Sequence, residues 1–193
     1  MRRAALLLAA LLLATPADPQ VVVRPGGSSG GANSATVGAG SYWYAQYSPN
    51  ASLTGTTSET AMFDVPVPAN AMGPVGILRV TTAWSMTNNT NNKQMRGRFS
   101  TTANNVAGSM ILNVGATSVA VMQTQSITRN AAATGSQMTH AVGQANPYLA
   151  VPAALVSASV DTTQVTHLTV TGTLAVGTDT LTLLGVTVEA LHP

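Results

Sequence analysis

The residue types that most often carry out catalysis occur in this sequence without forming a known catalytic motif. The three histidines, His140, His167 and His192, lack the H-x-H or H-x-x-x-H spacing of a metal site. The Gly-Ser-Ser-Gly-Gly run at residues 27–31 does not match the G-x-S-x-G elbow of a serine hydrolase. We therefore predict neither a hydrolase triad nor a metal-dependent enzyme.

The acidic residues are few and dispersed. The chain has six of them, and five lie beyond the N-terminal segment: Glu59, Asp64, Asp161, Asp179 and Glu189. A pair of glycosidase carboxylates could be assembled only by the fold, because their separation is a tertiary property. The chain also has no cysteine, which excludes a disulfide framework and a thiolate metal site. We predict a protein that is not an enzyme and uses no metal or cofactor.

Aromatic side chains cluster at the start of the predicted folded region, where they could stack on a sugar ring or anchor a protein contact. The cluster consists of Tyr42, Trp43, Tyr44 and Tyr47. On a β-strand Trp43 points away from Tyr42 and Tyr44, so these three cannot line one pocket. The favoured interpretation is packing in the core and at a subunit contact, and ligand binding is the alternative.

Three arginines, Arg79, Arg96 and Arg98, also lie close together in the sequence. If residues 77–100 form a hairpin, the arginines share one outward face and need acceptors. Because acidic residues are scarce, we predict that a neighbouring subunit provides them and that the arginines belong to a subunit interface. The candidate acceptors are Glu59, Asp64 and Glu189, and simple solvation of the arginines is the alternative.

Composition indicates an all-β protein. Only 7% of the residues are charged, against about 25% in an average soluble domain, and polarity comes mainly from Thr, Ser, Asn and Gln. Threonine and valine favour strands because branching at Cβ fits a pleated surface. The net charge of +2 arises from eight basic and six acidic residues, without a basic run. Nucleic acid is therefore not an expected partner.

Alternation of apolar and polar residues predicts about eight short strands. Residues 77–85 and 93–100 alternate most clearly, and the Asn-rich stretch 88–92 predicts a hairpin between them. Pro66 and Pro68 predict an edge or a corner, and the change of phase around Gly185 predicts a bulge. Strands are also predicted at residues 42–47, 52–63, 109–113, 118–129, 136–142, 165–174 and 179–191. We predict an antiparallel, jelly-roll-like β-sandwich.

The N-terminal part differs in composition from this domain. Residues 1–24 form an apolar, signal-like or anchoring segment, residues 25–41 a Gly/Ser-rich linker, and residues 42–193 the sandwich. A short helix of eleven apolar residues from Ala4 to Ala14 reaches about half of a ~30 Å bilayer core. A cleaved signal peptide and a retained helix both remain open. Residues 21–23 could add a short strand to a neighbour.

Residues 70–99 resemble a pattern found in virion proteins of tailed bacteriophages. In that pattern a Gly-rich turn is followed by an L-R strand ending in W-S, then T-N, an Asn-rich turn and K-x-x-R-x-R, here Lys93 to Arg98. Residues 161–193 are similar to the last two strands of these proteins. The resemblance implies a trimeric β-sandwich module of a tail fibre, a head fibre or a capsid decoration.

Two functional hypotheses follow. The first is a virion fibre or decoration protein that forms a homotrimer, contacts other virion proteins through its N-terminal segment and can bind a host surface glycan. The second is a secreted or periplasmic bacterial adhesin or carbohydrate-binding module with a cleaved signal peptide.

Overall fold

The computed structural model describes residues 20–21, 41–144 and 156–193, and these residues form twelve β-strands and no helix. The predicted anchor helix and most of the predicted linker lie outside the described residues. The strands are β1 (Gln20–Val21), β2 (Ser41–Tyr47), β3 (Ala51–Leu53), β4 (Thr60–Val67), β5 (Ile77–Met86), β6 (Lys93–Ser100), β7 (Ser109–Ala116), β8 (Val121–Asn130), β9 (Gln137–Gln144), β10 (Val156–Ala158), β11 (Thr166–Leu174) and β12 (Leu181–His192).

The strands form two antiparallel sheets with a jelly-roll order. The large sheet has the order β1-β2-β12-β5-β8-β9-β10, with β3 beside the first half of β12, and the small sheet has the order β4-β11-β6-β7. The sets β2-β12-β5-β8 and β4-β11-β6-β7 follow the strand order of an eight-stranded jelly roll, and β9 and β10 extend the large sheet. The predicted all-β, jelly-roll-like sandwich is confirmed.

Alternation along the strands places one face of each sheet in the core. On β5 the buried positions include Leu78, Val80, Thr82 and Trp84, as the sequence predicts, and the intervening residues are partly exposed. Both sheets contribute to the same apolar cluster, which joins Trp84 and Leu183 of the large sheet to Phe99 and Leu168 of the small sheet. The core therefore lies between the sheets, and the residues that alternate with the buried ones form the outer faces.

Several local predictions are also confirmed. The register of β12 with β5 shifts between Leu183 and Gly185, which is the predicted bulge, and Leu184 is exposed there. Pro66 lies on β4, which among the described strands is at the edge of the small sheet and pairs with β11, where a missing backbone N–H is tolerated. Of residues 21–23, which were predicted to add a short strand, Val21 pairs with Ala45 of β2 and the other two lie outside the described residues.

The predicted hairpin of residues 77–100 is wrong. Strand β5 lies in the large sheet between β12 and β8, whereas β6 lies in the small sheet between β11 and β7. The Asn-rich turn therefore crosses from one sheet to the other. Alternation identifies the buried face of a strand, but two strands that face one core from opposite sides alternate in the same way as two paired strands. The predicted strand 52–63 is also divided, into β3 and the start of β4.

Candidate functional site

A patch of aromatic, basic and apolar side chains lies on the outer face of the large sheet. The strand register aligns the residues of the patch in two rows that cross β2, β12, β5, β8 and β9. In strand order, the first row is Tyr42, Leu191, Ile77, Arg129 and Met138. The next row is Tyr44, Glu189, Arg79, Ile127 and His140. We call these ten residues the tyrosine–arginine patch. Neighbouring strands are about 4.8 Å apart, so each row spans about 19 Å.

Three polar side chains bond to one another in the patch. The Tyr42 hydroxyl donates to Glu189 Oε1 at 2.7 Å, and Arg79 Nη1 donates to Glu189 Oε2 at 3.1 Å. The Tyr42 and Tyr44 rings stack with centroids 6.4 Å apart and an interplanar angle of 19°. Beside them is a shallow depression of about 120 Å³, lined by Tyr42, Ile77, Arg79, Glu189 and Leu191.

Large apolar side chains in the patch remain exposed to solvent. The exposed fractions are 36% for Tyr42, 42% for Leu191 and 42% for Met138. Aromatic residues and arginine are enriched at protein contact surfaces, where a rigid ring and a planar guanidinium contribute most of the binding energy. The composition of the patch is therefore that of a contact surface.

The electrostatics of the patch favour a protonated tyrosine and a positive surface. Burial, followed by the hydrogen bond to Glu189 and its negative charge, raises the pKa of Tyr42 to about 12. Tyr42 therefore remains a hydrogen-bond donor at neutral pH. Arg129 belongs to none of the ion pairs formed by the described residues, so the patch contains two arginines and one carboxylate.

A rigid turn holds one end of the patch. Gly76, the residue before β5, is closely packed. A Cβ added there would lie 1.9 Å from the carbonyl oxygen of Met72 and 2.1 Å from that of Leu191. Gly73 has a φ of 56° and packs against the ring of His192. These contacts fix the turn against the end of β12 and thereby set the relative positions of Ile77 and Leu191.

The structure separates the four aromatic residues predicted as site candidates. Tyr42 and Tyr44 lie in the patch, whereas Trp43 points the other way and is buried in the core with 5% exposure. Tyr47 is partly buried and packs against Phe63, with ring centroids 5.1 Å apart. The prediction that Trp43 points away from Tyr42 and Tyr44 is confirmed.

The structure also separates the three predicted arginines. Arg96 and Arg98 lie on the outer face of the small sheet, whereas Arg79 lies in the large sheet. Both Arg96 and Arg98 bind Glu59. Glu59 accepts hydrogen bonds from Arg96 Nη1 at 2.8 Å, Arg98 Nε at 2.9 Å, Arg98 Nη2 at 2.8 Å and Thr171 Oγ1 at 2.6 Å. Two predicted acceptors, Glu59 and Glu189, are thus correct as residues but belong to the same chain. The charge argument for a neighbouring subunit is wrong, and the interface role itself stays a prediction.

The third predicted acceptor, Asp64, binds neither Arg96 nor Arg98. It accepts hydrogen bonds from the backbone N–H of Asn104 and the Thr169 hydroxyl, both at 2.8 Å. It also contacts His167 Nδ1 at 2.6 Å. No group of three or more potential metal ligands occurs among the described residues.

Sequence analysis missed a buried charged cluster at the turn between β5 and β6. The side chain of Lys93 is 1% exposed and that of Asp179 is 5% exposed, with Lys93 Nζ 3.3 Å from Asp179 Oδ2. Asn89 Nδ2 donates to Asp179 Oδ1 at 2.8 Å, and Lys93 Nζ donates to Asn89 Oδ1. We call Lys93, Asn89 and Asp179 the lysine cluster. The sequence did contain one indication of this cluster: Lys93 occupies an inward-facing position in the alternating pattern of β6.

Comparisons with known proteins assign no family. No family model matches the chain, and no curated protein matches it. Among solved structures, the seed lectin of Lotus tetragonolobus has a TM-score of 0.35 and 8% identity over 80% of this chain and 84% of that chain. Lectin I of Ulex europaeus, in complex with the methyl glycoside of alpha-L-fucose, has a TM-score of 0.34 and 7% identity over 89% of this chain and 86% of that chain.

A viral structure is also similar. The structure of the infectious bursal disease virus Gx strain has a TM-score of 0.30 and 9% identity over 92% of this chain and 33% of that chain. At such TM-scores these similarities support no inference about function. Among the residues that the structure describes, no helix is long and apolar enough to cross a membrane.

Proposed function

We propose that this chain is a non-enzymatic structural protein of a tailed-bacteriophage virion, a fibre or decoration module that projects from the head or the tail. The observation that carries the proposal is the tyrosine–arginine patch on the outer face of a jelly roll. The resemblance of residues 70–99 and 161–193 to virion proteins gives the proposal its biological setting.

The use of the carboxylates supports a non-enzymatic role. Each carboxylate in the described part of the chain accepts hydrogen bonds from the protein itself; the five are Glu59, Asp64, Asp161, Asp179 and Glu189. A general acid or base must reach a substrate proton with a tuned pKa. Carboxylates that are already bound to groups of the protein itself are not presented to an external substrate.

We propose further that the protein is a homotrimer in which the patch contributes to the subunit contact. A charge-poor surface without cysteines is better explained if part of it is buried between copies. Two arginines and one glutamate make the patch positive, so two patches facing each other across a two-fold axis would repel. A cyclic trimer avoids this repulsion because its contacts join two different surfaces.

Light scattering coupled to size exclusion tests the assembly with the full chain. The variant Tyr42→Ser/Leu191→Ser removes two exposed apolar side chains from the patch, and Val165→Ser/Val176→Ser removes two from loops elsewhere. We expect a trimer for the wild type and the loop variant and a folded monomer for the patch variant. A monomeric wild type at micromolar concentration would overturn self-association, and a trimeric patch variant would overturn the role of the patch.

Mass spectrometry of the N-terminus tests the virion assignment. A retained Arg2 and Arg3 segment in protein recovered from purified particles supports attachment through that segment. A mature start at Asp18 contradicts it and supports a secreted product.

A secreted bacterial adhesin or carbohydrate-binding module is the second candidate. The stacked rings of Tyr42 and Tyr44 beside the Arg79–Glu189 pair favour it, because aromatic faces stack on sugars while paired polar groups bind hydroxyls. In a virion protein the same site would bind a host surface glycan. A glycan array separates the patch functions: binding that is lost in Tyr42→Ala, while the oligomeric state is unchanged, supports a sugar site, and no binding by the wild type contradicts it.

A further inference from the structure

Lys93 is in an unusual position for a lysine. Its side chain is 1% exposed, at the first residue of β6, where it faces the interior opposite Leu174 of β11 and Ala116 of β7. Lysine is almost never fully buried unless it is paired, because burial disfavours the ammonium form. The function proposed above makes no use of this amine.

The amine contacts an asparagine that is also bound by a buried acid. Lys93 Nζ donates to Asn89 Oδ1 and, at 2.9 Å, to the carbonyl oxygen of Asn91. On its other side the Asn89 amide donates from Nδ2 to Asp179 Oδ1 at 2.8 Å. The Asn89 side-chain amide therefore contacts the lysine amine through Oδ1 and the Asp179 carboxylate through Nδ2.

One oxygen of Asp179 faces the lysine amine. Its Oδ2 is buried and lies 3.3 Å from Lys93 Nζ, with which it forms an ion pair. The hydrogen bond from Asn89 lowers the pKa of Asp179 against the opposing effect of burial, and Asn91 and Lys93 lower it further. The carboxylate is thus ionised, and its position 3.3 Å from Lys93 Nζ, not its pKa, makes it the acceptor for a proton of the ammonium group.

We propose that Lys93 and Asn89 join in an intramolecular amide bond, with Asp179 as the proton carrier. Asp179 first takes a proton from the Lys93 ammonium group, and the neutral amine then attacks Asn89 Cγ to form the N–C bond. The attacking nitrogen loses a second proton, which Asp179 relays to Nδ2. The Cγ–Nδ2 bond breaks and ammonia leaves, while Asp179 retains the first proton as a neutral acid.

The surroundings favour this single-turnover reaction. Reacting groups held in contact replace a bimolecular encounter with an intramolecular step, which can contribute roughly 7–11 kcal/mol to lowering a barrier. The product removes one positive and one negative charge from a buried site, which lowers the desolvation cost of the cluster. The bond also fixes the turn that crosses between the sheets, in a chain that has no cysteine for a disulfide.

Peptide mass spectrometry of the wild-type protein tests the proposal directly. Trypsin cleaves after Arg79 and Arg96 but not after an acylated lysine, so we expect one peptide of residues 80–96, lighter than its sequence by one ammonia. Cleavage after Lys93 with the full sequence mass would overturn the proposal. This result is independent of the virion assignment and of the oligomeric state.

A succinimide at Asn89 would also lose ammonia, but it leaves Lys93 unmodified. Trypsin would then cleave after Lys93, and an amine-reactive reagent would label that lysine in the denatured protein, which would contradict the amide bond. In Lys93→Arg and in Asp179→Asn we expect trypsin to cleave after residue 93 and to release a peptide of residues 80–93 with its full sequence mass. Asn88→Gln alters an exposed amide in the same turn and is the matched control, which should keep the loss of ammonia.

Discussion

Replacement of Glu59 by glutamine should destabilise the domain without changing its oligomeric state. The carboxylate of Glu59 is bound by Arg96, Arg98 and Thr171 on the outer face of the small sheet. Glutamine keeps the shape of the side chain but removes the charge that both guanidinium groups share. Two neighbouring arginines, each 17% exposed, are then left to repel each other.

The magnitude of this effect lies between that of an exposed and that of a buried ion pair. Exposed pairs contribute about 0–1 kcal/mol, whereas breaking a buried pair costs about 3–5 kcal/mol. The side chain of Glu59 is 19% exposed, which is closer to the buried case. We expect the free energy of unfolding to fall by about 2–4 kcal/mol, which corresponds to a Tm decrease of roughly 5–15 °C in a domain of this size.

Urea denaturation at several pH values provides the assay. Burial raises the pKa of Glu59, but the hydrogen bonds from Arg98 and Thr171 and the charges of Arg98 and Arg96 outweigh it, so the pKa is lowered from 4.5. The stabilisation by Glu59 is therefore complete above pH 4.5 and is lost as the pH falls through the lower pKa of the folded state. The difference between Glu59→Gln and the wild type should shrink in that range.

The control is Asp161→Asn. Asp161 is exposed, and its carboxylate accepts hydrogen bonds from the backbone N–H and the hydroxyl of the nearby Thr163. We expect no measurable change in its unfolding midpoint. The variant Arg96→Gln/Arg98→Gln should also lower stability, and light scattering of the same variant tests the predicted interface role of the two arginines. Equal urea midpoints for Glu59→Gln and the wild type at pH 7 would refute the stabilising role of Glu59. If Arg96→Gln/Arg98→Gln remains folded but dissociates into monomers, the result would support a subunit interface at this face.

Three further substitutions test the turn, the interior and the patch. Gly76→Ala should prevent normal folding, because two carbonyl oxygens lie 1.9 and 2.1 Å from the new Cβ, whereas Gly135→Ala meets no atom within 4 Å; circular dichroism and soluble yield compare them. Thr82→Val should cost about 1–3 kcal/mol in urea denaturation, because it leaves a buried indole N–H without its acceptor, and Thr81→Val on the outer face should cost less. Tyr42→Phe should remove the phenol with a pKa of about 12 from an alkaline absorbance titration; because the folded state binds that proton more tightly, the loss of stability from pH 10 to 12 should be smaller in the variant.

Much of the fold could be predicted because each strand carries its own pattern. Leu78, Val80 and Trp84 alternate with polar residues on β5, and that local period determines which face is buried. The bulge at Gly185 is visible as a change of phase in the same pattern. Such features depend on residues that are neighbours in the chain, so a single sequence contains them.

The site could be predicted only in part, because it depends on the register between distant strands. Tyr42, Arg79 and Glu189 meet because β12 pairs with both β2 and β5, and no local signal in the sequence specifies those pairings. Arg129 and Met138 enter the patch in the same way from β8 and β9. The hairpin prediction for residues 77–100 was wrong for the same reason, since an Asn-rich turn can join paired strands or strands of opposite sheets.

The burial of Lys93, in contrast, was accessible from local pattern alone. The alternation that places Met95 and Phe99 inward on β6 also places Lys93 inward, two residues before Met95. A charged group in the interior requires a partner of opposite charge, because an unpaired buried ion costs several kcal/mol. Only six acidic residues could supply that partner, and Asp179 lies two residues before the start of β12. If alternation is applied to charged residues as strictly as to apolar ones, it predicts that the amine of Lys93 is buried. The fold then provides the partner that neutralises it, either Asp179 as an ion pair or Asn89 as an amide.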